Sequence, residues 1–101
     1  MDSTHKQPQE KFFIDVSFAR VLNSGESINQ SLSEVTAANY ATGENSTTAI
    51  IEADSFSVVD AVAYCRIQGG ADGETHKITF KVTTDQGNVF EKDILLDVKD
   101  Q

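Results

Sequence analysis

The chain has 101 residues, a length that favours a single domain with one modest core. Hydrophobic residues make up 39% and charged residues 24%, an ordinary balance that argues against wholesale disorder. Eight basic against 16 acidic residues give a net charge of -8, and a surface of that sign repels nucleic-acid phosphates and anionic lipid heads.

Residues 1–10, MDSTHKQPQE, are polar, hold the only proline, Pro8, and read as a flexible N-terminal arm. They contain no apolar stretch of the signal-peptide kind, and no run in the chain nears the roughly 20 apolar residues of a bilayer span. The expectation is a protein made and folded in the cytoplasm without a signal peptide. From Lys11 the pattern changes. KFFIDVSF reads as a strand, with Phe12, Ile14 and Val16 on one face and Phe13, Asp15 and Ser17 on the other. Asn23, Ser24 and Gly25 make a turn. Ser27–Ala38 is mixed; its serines and threonine weaken a helix, and a strand over Ser31–Ala37 is the reading taken.

Residues 39–47 are loop chemistry, with Tyr40 either an exposed anchor for a partner or a core or edge residue. TAIIE, Thr48–Glu52, reads as a short strand, and Phe56–Val59 as another with Asp60 in a turn. Ala61–Gln68 follows, placing Ala63, Cys65 and Ile67 on one face. Cys65 is the only cysteine, so no internal disulfide forms; its apolar setting marks a buried small hydrophobe, not a reactive thiol. The loop GGADGET holds Gly69, Gly70 and Gly73, a density no long helix tolerates. HKITFKVTT alternates cleanly, with Ile78, Phe80, Val82 and Thr84 inward. Asp85–Asn88 form a tight turn into the last strand, VFEKDILLDVK, which puts Phe90, Lys92, Ile94, Leu96 and Val98 on one face. About seven short antiparallel strands without a long helix argue for an all-β sandwich or small barrel, with residues 11–101 as the single domain.

No arrangement for catalysis stands out, and the sequence assigns no catalytic, cofactor or metal residue. Asp72, Glu74 and His76 lie close together, yet the loop lacks the bidentate glutamate of a calcium loop, and zinc would need a fourth ligand. The other histidine, His5, is in the arm. The serines have no G-x-S-x-G elbow, and there is no P-loop or dinucleotide fingerprint. Asn29-Gln30-Ser31 and Asn45-Ser46-Thr47 match the glycosylation pattern by chance.

Three local patterns, in order, carry a resemblance over residues 8–99. They are KFFIDVSFARVLNSGESI, then IQGGADGETHKITFKVTTDQGNVFE with its double glycine, third glycine and Thr-x-x-Gly, then DILLDVK. Together they resemble the small phage fiber–tail adaptor proteins and related prophage proteins. The resemblance implies an Ig-like sandwich in the virion tail that connects the tail to host-recognition fibres. Its implied partners are other tail or fibre proteins, in a ring-like homo-oligomer on the particle; nucleic acid, membrane and cofactors are not expected. The runner-up is an Ig-like binding module for carbohydrate or a protein surface. His76 stands where the family usually carries an aromatic, and tryptophan is absent. Asp15, inside an apolar strand, is expected to bond backbone N–H groups of a neighbouring turn. The Thr84 hydroxyl is expected to satisfy loose groups of the final turn, which Thr84 and Gly87 bracket.

Overall fold

A computed structural model describes residues 2–100. Residue 1 of the expected arm and residue 101 of the expected domain lie outside the described residues. In chain order the elements are β1 (Asp2–Lys6), β2 (Phe12–Ser17), β3 (Ile28–Asn39), α1 (Thr47–Ile50), β4 (Ser57–Val59), β5 (Val62–Ile67), β6 (Thr75–Thr84) and β7 (Val89–Val98). One sheet has the order β1-β7-β6-β3 and the other β2-β5-β4. Every strand pairing is antiparallel except β1 with β7, which is parallel.

The all-β, Ig-like expectation holds. From β2 onward the order matches the constant-type immunoglobulin sandwich, in which the second, fifth and fourth strands face the third, sixth and seventh. The first strand is the difference. In that plan it lies beside the second strand; here it crosses to the other sheet and lies beside the last.

The inner rows follow the predicted alternation. Ala63, Cys65 and Ile67 of β5 and Ile78, Phe80 and Val82 of β6 are fully buried. Leu96 and Val98 of β7 complete that layer. Phe56 packs its ring against Phe80 at 6.5 Å between centroids. Each Ile, Phe, Val or Leu side chain among them contributes roughly 1.5–3 kcal/mol on removal from water, so these rows carry the sandwich. Burial pushes the Cys65 thiol up to about 12, in keeping with an inert core residue.

Two elements differ from the sequence reading. Residues 2–6, expected as part of a flexible arm, form β1, paired with β7 from Asp2↔Ile94 to Lys6↔Val98. An edge strand is held by its backbone ladder, so a polar sequence such as DSTHK can form one. Its end is fastened by Lys6, whose Nζ donates to Gln7 O at 2.7 Å and Pro8 O at 2.8 Å. The second is TAIIE, expected as a strand. Thr47–Ile50 instead form one helical turn, closed by Ile50 N–H donating to Ser46 O and Ile51 N–H to Thr47 O. Consecutive residues of a strand point to opposite faces. Ile50 and Ile51 are both buried against the same core, and the turn allows it.

Candidate interaction surface

Motif residues far apart in sequence meet at one end of the sandwich. Glu26, from the Gly-Glu-Ser-Ile turn, is almost fully buried. Its carboxylate accepts hydrogen bonds from Asn23 N–H at 2.8 Å, from the Thr84 hydroxyl, and from the Asn88 side-chain amide at 2.8 Å. The Asn23 N–H, then Thr84 and Asn88, hold this carboxyl below the usual carboxylate range. Thr84 Oγ1 also accepts Gln86 N–H at 3.3 Å and Asn88 N–H at 3.2 Å, which is the role expected of it. This network ties the turn before β3 to the β6–β7 hairpin.

The double-glycine loop is placed by close approach. Gly69 has φ +60°, and a Cβ there would lie 2.6 Å from Ala49 O in α1. Gly70 has φ +86°, and a Cβ there would lie 2.8 Å from Val98 Cγ2. Both positions need the left-handed region and the missing side chain. The loop therefore packs α1 and the end of β7 together.

In the same loop, Asp72, Glu74 and His76 do not converge. Asp72 Oδ1 accepts Asp100 N–H at 3.0 Å. Glu74 Oε1 accepts Ala71 N–H at 2.7 Å and lies 3.1 Å from His76 Nε2. The Ala71 N–H, then His76, hold the Glu74 carboxyl low. His76 is buried, and its Nδ1 lies 2.8 Å from Ser46 Oγ. A carboxylate only accepts, so Nε2–H donates to Glu74, and in the neutral ring Nδ1 accepts from Ser46. His76 thus links β6 to the residues before α1. Among the described residues no group of three or more His, Cys, Asp or Glu side chains gathers as metal ligands would.

The outer face of the three-stranded sheet has a different character. Phe13 of β2 is 57% exposed and meets Tyr64 of β5 edge-to-face at 5.9 Å. The Arg66 guanidinium lies over the Phe13 ring at 5.3 Å. Glu52 accepts from Lys11 Nζ at 2.8 Å and lies 3.7 Å from Arg66 Nε. Lys11 holds the Glu52 carboxyl low. Arg66 Nε is shielded from solvent and has no hydrogen-bond partner. Val59 stands exposed on the adjoining β4. Aromatic rings and arginine are residue types enriched at protein-binding surfaces.

The family described as podophage GP4 fiber-tail adaptor protein gp77 matches residues 6–97, nearly the whole sandwich. This chain belongs to that fiber–tail adaptor family. No individual curated protein matches it.

Gly69 and Gly70 seat α1 and β7, while Glu26 and Thr84 join two turns. These are scaffold roles. Asp15 departs from expectation. It is exposed on the outer face opposite Tyr64, and its carboxylate takes no hydrogen bond among the described residues. The period-two pattern already put it opposite the apolar row, so water satisfies it and no turn is needed. Tyr40 is 59% exposed beside β6, where its N–H donates to Thr75 O at 2.8 Å. The aromatic–arginine surface was not predicted as a site. Its only sequence signal is Phe13, a large apolar residue on the polar face of an alternating strand.

Proposed function

We propose that this adaptor-family protein is a non-catalytic structural part of the phage tail, linking the tail to host-recognition fibres. The observation that carries this reading is the family match over residues 6–97. The surface of exposed Phe13 with half-buried Tyr64 and Arg66 supports it, because it offers a protein partner aromatic area beside a guanidinium. The net charge of -8 supports protein over nucleic acid as the partner. Many copies in a symmetric ring on the particle fit such a part.

The test is affinity capture of the tagged full chain from a lysate in which the phage or prophage is induced, followed by analysis of purified particles. Recovery with tail and fibre proteins is expected. Recovery with a glycan alone, and absence from particles, would overturn the reading.

A further inference from the structure

In the constant-type plan the edge of the second strand is covered by the first. Here β1 has gone to β7, and the outer edge of β2 is left open. Local geometry fixes which groups lie on that edge. Phe18 N–H donates to Ala61 O, on the β5 side, whereas Ser17 O accepts Lys92 Nζ at 2.7 Å from the opposite side. In an antiparallel strand the N–H and C=O of one residue aim to the same side, and successive residues alternate. The backbone groups of Phe13, Asp15 and Ser17 therefore aim outward. Those of Phe13 and Asp15 have no partner among the described residues.

The inner row of β2 shows the same gap. Phe12, Ile14 and Val16 point toward the core but remain half-buried, while their β5 neighbours Ala63, Cys65 and Ile67 are fully buried. Between Val16 and the β1–β7 side lies a cleft of 260 Å³, lined by Asp2, Lys92, Asp93 and Ile94.

We infer that the β2 edge receives an extended segment of a partner protein, adding a strand where the plan's first strand would lie. The segment carries apolar residues inward, against Ile14 and Val16, and a lysine or arginine outward, opposite Asp15. Charge selects this occupant. Lys11 is engaged by Glu52, and Lys92 by Ser17 O and the Phe18 ring. The Asp15 carboxylate is unpaired on a chain of net charge -8. Opposite charges directly across a pair stabilise it, and like charges destabilise it. A second copy fits worse. The antiparallel self-pairing that uses all three outward residues sets Asp15 against Asp15 and Phe13 against Ser17. The inference rests on the reading of the chain as a link between tail proteins.

The test is amide exchange of the full chain, followed residue by residue by NMR. The probe is the peptide Thr-Val-Thr-Val-Lys-Val-Thr-Val-Thr, with a control carrying glutamate in place of the lysine. The lysine peptide is expected to slow exchange at Phe13 and Asp15 about tenfold or more, and the control far less. Asp15→Pro removes an outward N–H that a free edge does not need, so the variant folds and loses the protection at Phe13, the outward amide that remains. Asp15→Lys reverses the preference between the two peptides. Equal protection by both peptides, none by either, or protection that survives Asp15→Pro would overturn the inference. So would protection that appears on concentrating the chain alone, which would assign the edge to a second copy. In purified particles the same two amides are expected to be protected. Incorporation without that protection overturns the edge; failure to incorporate, with the peptide result intact, overturns the tail reading instead.

Discussion

Two edges of the sandwich are treated in opposite ways. On β3, the outward groups of Ala37 and Asn39 are sealed by the chain that follows. Thr47 Oγ1 accepts Ala37 N–H at 2.9 Å and donates to Ala37 O at 3.2 Å, Ser46 N–H donates to Ala37 O, and Asn39 N–H donates to Glu44 O. On β2, Phe13 and Asp15 have nothing against them, and only Ser17 is met, by Lys92. An open edge invites another strand, and proteins block edges they do not use. Even the three-residue β4 is blocked, since Val58 N–H donates to the Gln30 side chain at 2.9 Å. The contrast sets a β2 edge open at Phe13 and Asp15 against a β3 edge closed by its own chain at Ala37 and Asn39.

The contrast predicts unequal costs of mutation. Phe80→Ala, in a fully buried row, is expected to cost about 3–5 kcal/mol by urea unfolding. Ile14→Ala, in the half-buried row of β2, should cost only about 1–2 kcal/mol. Equal costs would mean the β2 row is covered in solution. Next comes the seat of the β3 cap. Gly69→Ala sets a Cβ against Ala49 O and is expected to cost more than about 2 kcal/mol. Gly87→Ala, with φ +83° but open space, should cost about 1 kcal/mol.

Thr47→Val removes both hydrogen bonds to Ala37 and is expected to cost about 1–2 kcal/mol. It should also speed exchange of the Ala37 amide toward that of Asp15, making the two edges alike. Acid gives a smaller effect. The carboxyls of Glu26, Glu52 and Glu74 are held below their ordinary 4.5. Their contribution is therefore present above about pH 4.5 and lost as pH falls through the lower folded values. Unfolding midpoints should drop below that pH, and Glu26→Gln should flatten the drop while lowering stability at neutral pH. The smallest effect is Asp15→Pro, expected within about 0.5 kcal/mol of the parent. A large loss there would show that the edge N–H has an internal partner after all.

The core was legible because HKITFKVTT alternates strictly, β7 buries Ile94, Leu96 and Val98 on one face, and the burial patterns follow. β1 was not legible, because DSTHK carries no apolar row and is held through its backbone by β7. The turn at Thr47–Ile50 was missed because TAIIE has the composition of a strand; only the need to bury Ile50 and Ile51 together decided it. The Glu26–Thr84 contact spans 58 positions, beyond any local pattern.

What the sequence determined by itself is the class of fold and the kind of surface. Period-two patterning, glycine-rich turns and an acid excess suffice for a β-sandwich, because each acts over a few residues. Tertiary structure alone decided where the first strand pairs. That choice depends on which ladder, β2 or β7, lies within reach of a short polar segment, and no side chain in DSTHK encodes it. The β2 edge is open because β1 paired elsewhere.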